Sequence, residues 1–268
     1  MMYDVIIVGG GPAGLFAAYH LKEHSNLKVL LIEKGKDSLK RKCPNHNLQK
    51  CVQCDPCNIL SGIGGAGLYS DGKLNFIPRL GKTDLTQFMP MSAAQELIDE
   101  TETIFTRFKM DGQVFPTNME EAKLIRKEAK RFGIDLLLIK QKHLGSDNLP
   151  GYITDMAEHI KSRGLEIKTR ETVIDIIEED GQVRGVTTDK DSYFAPNVIL
   201  APGRIGANWV SSVAQKHGIA LSQRGIEVGV RVEVHNDIMD DLCNVIYDPT
   251  FFIQTQTYDD QTRTFCTN

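Results

Sequence analysis

Tyr3-Asp4-Val5-Ile6-Ile7-Val8-Gly9-Gly10-Gly11-Pro12-Ala13-Gly14 decides the fold of this 268-residue chain. A continuous apolar, β-branched run closed by glycines is the pattern of a strand buried on both faces, and such strands belong to parallel sheets. From Pro12 to about His24 apolar and small residues recur at helical spacing, and Lys28 to Glu33 is a second buried strand. The glycines keep the G-x-G-x-x-G spacing at Gly9, Gly11 and Gly14. The first permits a tight turn, the second lets a diphosphate approach the backbone, and the third allows close packing of helix on strand. Pro12 and Ala13 open the helix, whose unpaired N–H groups attract phosphate. Glu33, followed by Lys34, ends the second strand roughly twenty residues on, where a carboxylate can accept hydrogen bonds from ribose hydroxyls. An acid there disfavours a 2′-phosphate, so NADP is not the ligand expected of this unit.

The bulk composition sets bounds on the rest. With 41% hydrophobic and 25% charged residues the chain is globular, and a formal net charge of −4 gives no electrostatic reason to expect nucleic acid or an anionic membrane as partner. A small-molecule substrate is the expectation. The N-terminus runs straight into a strand without the features of a leader peptide, and no apolar stretch approaches the roughly 18–20 residues that span a bilayer. A cytoplasmic protein with reduced thiols is predicted.

Beyond the first unit, residues 35–82 have no clear period and read as a long functional loop. Helices are predicted from an N-cap at Ser92 to about Phe108, from a capping box of Thr117 and Glu120 to about Phe132, from near Asp147 to Gly164, and over 206–217. Residues 134–140, LEIKTR and NVILAPG read as strands, the last a buried one. An antiparallel meander is expected after Thr172, turning at Asp180-Gly181. The alternation in EVGVRVEVH predicts a half-exposed strand with Val228, Val230, Val232 and Val234 on one face, and FFIQTQTYDDQTRTFCTN predicts a hairpin. The fold class is α/β: a Rossmann-like dinucleotide-binding domain (parallel sheet plus antiparallel meander) over 1–82 and 145–218, with an α+β substrate region over 83–144 and 219–268.

DVIIVGGGPAGLFAAYHL and KVLLIEKG resemble the FAD-binding start of the glutathione-reductase and p-hydroxybenzoate-hydroxylase class of flavoproteins. The resemblance implies that Gly9, Gly11, Gly14 and Glu33 hold the ADP half of FAD, that the backbone at Val173 contacts adenine, and that Ala201-Pro202-Gly203 forms the family's strand-ending turn, with Pro202 in place of the usual threonine. CPNHNLQKCVQCDPCNILSGIGGAGLYSDGKL, HLGSDNLP, EVGVRVEV and RTFCTN extend the likeness to uncharacterised FAD-dependent dehydrogenases of bacteria and archaea. Their greater length implies an N-terminal piece. By this resemblance the second glycine cluster, Gly62, Gly64 and Gly65, lies along the diphosphate and the ring system, with Ser70, Asp71 and Lys73 as polar contacts. Bare glycines there can form an anion nest. NAD(P)H is a possible electron donor, and no acid or base is assigned.

Cys43, Cys51, Cys54 and Cys57 have the spacing C-x7-C-x2-C-x2-C. Three readings stay open: zinc or an iron–sulfur cluster, a redox dithiol, or reduced structural cysteines. His46 lies inside this segment. A metal- or cluster-binding regulatory module without turnover is the alternative to a flavin-dependent oxidoreductase.

Overall fold

The computed structural model describes residues 2–45, 50–70, 72–81, 83–145, 147–222, 228–264 and 267. The chain divides into two compact units, Met1–Gly72 with Gly145–Gly225 and Lys73–Leu144 with Ile226–Asn268. Asp71 and His46 lie outside the described residues.

In the first unit, β1 (Val5–Val8), α1 (Pro12–His24) and β2 (Val29–Glu33) form the expected crossover. They are followed by α2 (Leu149–Ser162), β3 (Glu166–Thr169), the meander β4 (Val173–Glu179), β5 (Gln182–Thr188) and β6 (Ser192–Phe194), then β7 (Asn197–Leu200) and α3 (Ala207–Lys216). The parallel sheet has the order β7-β1-β2-β3, with Val5 beside both Val29 and Asn197. β1 and β2, with a neighbour on each side, are buried along their whole length. β7 has one neighbour and is only half-buried, which corrects the reading of NVILAPG as a buried strand.

Side chains alternate across a strand. Ile6, Val8, Leu30 and Ile32 therefore share one face, and there they pack with Val173, Val186, Tyr193 and Ala195 of the meander. Ile7 and Leu31 point to the other face, which α1 contacts, and α1 in turn packs on α2. Each of these fully buried aliphatic side chains contributes about 1.5–3 kcal/mol. The meander turn has positive φ at both Asp180 and Gly181, as a two-residue hairpin turn of its kind demands.

The second unit is antiparallel. Lys73–Phe76, Lys140–His143 and Val114–Phe115 form one sheet, and Asp135–Leu137, Thr250–Gln254 and Gln261–Arg263 another. Helices run over Met91–Arg107, Met119–Arg131 and Asn236–Val245. Ala122, Leu136, Val245 and Ile246 make a core with Ile125, Leu138 and Phe251 against it.

Residues 134–140 are not one strand, because Asp135–Leu137 pairs with Thr250–Phe252 while Lys140 begins a strand of the other sheet. The N-cap before Met119 is Asn118, whose Oδ1 accepts from the N–H of Glu120 and Glu121. Thr117 instead donates its hydroxyl to Asn244 O. The helix expected from a cap at Ser92 has Pro90 at that position and starts at Met91. Val228–His235 forms no strand, and its four valines are exposed: the described residues offer this stretch no ladder partner. The strand Lys73–Phe76 lies in what read as loop, and the helix Asn236–Val245 was not expected.

Candidate dinucleotide site

The three motif glycines have three different reasons to be glycine. Gly9 sits at φ +108°, and a Cβ there would lie 2.3 Å from Ala201 O. A Cβ on Gly14 would lie 1.9 Å from Gly9 O, so the helix can approach the strand turn only without a side chain. Gly11 is at φ −75°, ordinary for any residue, and a Cβ there would meet only Gly65 Cα at 3.7 Å, a normal contact. The protein itself does not require glycine at position 11.

Gly11 is also the N-cap of α1. It carries no side chain to cap the helix, Pro12 fills the first helical position, and no acid lies in the first turn. The orphan N–H groups and the positive end of the dipole therefore face outward uncompensated, beside the exposed Pro12 and Ala13. By contrast, the recess lined by Lys22, His24, Ser25, Asn26, Arg163 and Gly164 lies at the C-terminal ends of α1 and α2, where the dipole disfavours phosphate.

The second glycine turn lies against the first. Gly64 N donates to Gly10 O at 2.8 Å, and Gly65, at φ +60°, sits so close that a Cβ there would be 3.0 Å from Gly11 Cα. Glu33 binds the two turns together. Its Oε2 accepts from Gly10 N at 2.7 Å, while Oε1 accepts from Gly35 N at 2.7 Å and Gly62 N at 2.8 Å. A carboxylate has about four lone-pair sites, so room for one hydroxyl remains at Oε2. Glu33 is thus a buried scaffold residue as well as the acid at the end of β2.

On the far side of β2, Arg170 N donates to Gly35 O at 2.8 Å and Glu171 N to Glu33 O at 3.2 Å. These bonds bring the backbone before Val173 to the end of β2, while the Val173 side chain is committed to the core. Tyr193, in the same core, has its phenol pKa raised by burial and by the neighbouring Glu171 carboxylate. Ala201 N donates to Val8 O at 2.8 Å, placing Ala201-Pro202-Gly203 at the end of the strand beside Gly9, with Gly203 at φ +64°. Lys34 is half-buried. Ser70 Oγ donates to Gly67 O at 2.8 Å. Lys73 belongs to the second unit, where its ammonium lies 2.6 Å from the buried Asp248 Oδ2.

The residue that sequence reading missed is Arg41. It is buried and donates to carbonyls throughout the second turn. An arginine among Leu39, Lys40 and Lys42 reads as an exposed basic stretch, and no spacing marks it out. Cys43, Cys51, Cys54 and Cys57 are free thiols, with Cys51 exposed. Among the described residues no three of their sulfurs lie within 4.8 Å of one another.

A family model for pyridine nucleotide-disulphide oxidoreductases matches residues 3–149, more than half of the chain. The chain belongs to this family. An uncharacterised protein of Clostridium beijerinckii is 24% identical over 229 residues, covering 85% of this chain and 36% of that protein. A Marinomonas mediterranea protein named as an FAD-dependent oxidoreductase, LodB, is 54% identical over 33 residues, 12% of this chain and 9% of its own length. Glycine oxidase from Geobacillus kaustophilus is similar in structure, with a TM-score of 0.49 and 17% identity over 82% of this chain and 60% of that one. The chain therefore spans about a third of the longer curated match. No helix among the described residues is long and apolar enough to cross a membrane.

Proposed function

We propose that this chain carries the FAD-binding part of an oxidoreductase acting on a small molecule. The observation behind the reading is Gly11: its conformation and surroundings admit a side chain, yet the residue is glycine at the uncapped start of α1, facing Gly65 of a second glycine turn. A diphosphate lying over that position explains the glycine at 11 and the absence of any acid in the first turn. Gly9, Gly11, Pro12, Ala13 and Gly14 with Gly62, Gly64 and Gly65 would surround the diphosphate. Glu33, with Lys34 next to it, would take a ribose hydroxyl on its remaining lone pair, and the backbone near Val173 would meet adenine. Ala201-Pro202-Gly203 and Ser70 are proposed on the flavin side. Bound FAD would supply electron transfer, and the protein would supply its placement and local charge.

The purified protein, denatured with acid and its supernatant read by absorbance and mass, tests this directly. Release of FAD supports the reading, and release of FMN alone or of no flavin overturns it.

A further inference from the structure

Arg41 is 2% exposed, and its guanidinium is spent on main-chain oxygens. Nε donates to Asn58 O at 2.9 Å and Nη2 to Ile59 O at 2.6 Å. Nη1 donates to Ile63 O at 2.9 Å and Gly65 O at 2.8 Å, with Gly62 O at a weaker 3.4 Å. The Tyr69 hydroxyl donates to the Arg41 carbonyl, and the tyrosine ring lies 5.1 Å from the guanidinium carbon. Burial pulls the pKa of this guanidinium below its usual value, with Tyr69, Glu33 and Cys57 acting in the opposite direction. Arginine nevertheless keeps its charge, since its intrinsic pKa lies far above neutrality.

The pattern of acceptors has a geometric consequence. In a trans peptide the carbonyl and the N–H of one plane point in opposite directions. Drawing the Ile63 and Gly65 carbonyls onto Arg41 therefore turns the N–H groups of Gly64 and Ala66 away from it. The Gly64 N–H meets Gly10 O, locking the two glycine turns together. Ala66 follows Gly65, which itself faces the open position at Gly11. Only a planar fork of five donors can collect carbonyls from both sides of such a turn, whereas an ammonium offers a single point of attachment.

The same fork closes the base of the cysteine loop. Asn58, whose carbonyl Arg41 holds, donates its side-chain amide to Lys42 O at 2.9 Å, and Ser61 N donates to Cys57 O at 2.8 Å. Lys42 and Cys57 are therefore both tied to the segment that Arg41 holds.

The geometry points to Arg41 as the positioning residue of the dinucleotide site: acting through the main chain, it sets the Gly62–Gly65 turn so that the Ala66 amide is presented to the diphosphate beside the start of α1. This rests on the cofactor reading above and deepens it. The test uses Arg41→Lys and Arg41→Ala in the full chain, with FAD affinity read by flavin fluorescence and amide exchange read along residues 58–68. Both variants are expected to bind FAD at least about tenfold more weakly, the loss of a set of charge-assisted hydrogen bonds. Millimolar guanidinium, but not an equal concentration of sodium chloride, restores binding to Arg41→Ala. Exchange accelerates over 58–68 while β1 and β2 stay protected. FAD affinity within about twofold of wild type in both variants overturns the assignment, as does acceleration spread equally over β1 and β2. Failure of the wild-type chain to bind FAD refutes the cofactor reading alone. The exchange pattern then decides whether Arg41 sets the Gly62–Gly65 turn, local acceleration supporting that part of the assignment and none overturning it.

Discussion

Glu33 Oε1 accepts the main-chain N–H of Gly62 at 2.8 Å, a bond across 29 positions of sequence that ties the end of β2 to the second glycine turn. With the bonds from Gly10 and Gly35, the carboxylate satisfies three N–H groups in a buried setting. Glu33→Ala strips all three of their acceptor, at about 1–3 kcal/mol for each unsatisfied donor, so a loss of at least about 3 kcal/mol is expected in urea unfolding without cofactor. Glu33→Gln keeps one oxygen but turns an amide N–H₂ toward a donor, and an intermediate loss of about 1–3 kcal/mol follows. If Glu33→Gln unfolds at the same urea concentration as wild type, the carboxylate is not the tie between the turns.

Gly11 and Gly14 separate ligand binding from folding. Gly11→Ala introduces a methyl that meets nothing closer than 3.7 Å, so stability stays within about 0.5 kcal/mol while flavin retention falls at least about tenfold. Gly14→Ala places its methyl 1.9 Å from Gly9 O, and the helix must move off the strand, at a cost of about 3 kcal/mol or more. Flavin content per chain and thermal unfolding, measured on both variants, give opposite signatures. A Gly11→Ala protein that keeps its flavin removes the basis for the cofactor reading.

His217, just after α3, donates or accepts at Glu178 Oε2 (2.6 Å) and Asp175 Oδ1 (3.2 Å) on β4. Hydrogen bonds to Glu178 and Asp175 raise its pKa above the usual 6.5, against a smaller penalty from burial. Lys216 shares Asp175 and so competes for the same carboxylate. Because the folded value is the raised one, the stabilisation is fully present below the unfolded-state value and is lost as pH climbs through the folded value. His217→Gln should therefore flatten the fall in stability that wild type shows on the alkaline side of 6.5. Urea midpoints measured across that range decide, and equal slopes in the two proteins would dismiss the role of this histidine.

The crossover β1, α1, β2 was legible because each signal is local: a β-branched run, glycines at fixed spacing, helical periodicity and a terminal acid within residues 3–33. What stayed hidden depends on partners distant in sequence. No local signal sets Arg41 apart from the basic residues beside it, and Glu33 shows its structural duty only once Gly62 has returned to it. The division of residues 134–140 between two sheets is set by strands that begin at Lys73 and Thr250. At residues 117–118 two adjacent cap candidates compete, and the contact of Thr117 with Asn244 settles which one serves. The helix Asn236–Val245 did carry a readable signal in Ile238, Leu242 and Val245, spaced four and then three apart.

Val228–His235 finds no such partner among the described residues. Its alternation is real, but a strand needs a ladder partner, and Val228, Val230 and Val232 are 87%, 88% and 75% exposed. A row of alternating valines beside unpaired backbone groups is a template for association between chains. Val230→Lys combined with Val232→Lys should raise the concentration at which light scattering first detects aggregates, because charge on an edge blocks pairing. Since neither side chain is buried, the urea midpoint should move by no more than about 0.5 kcal/mol equivalent. A loss above about 1 kcal/mol would mean that these valines are covered in solution by an intramolecular partner, since substitution of exposed side chains carries no such cost.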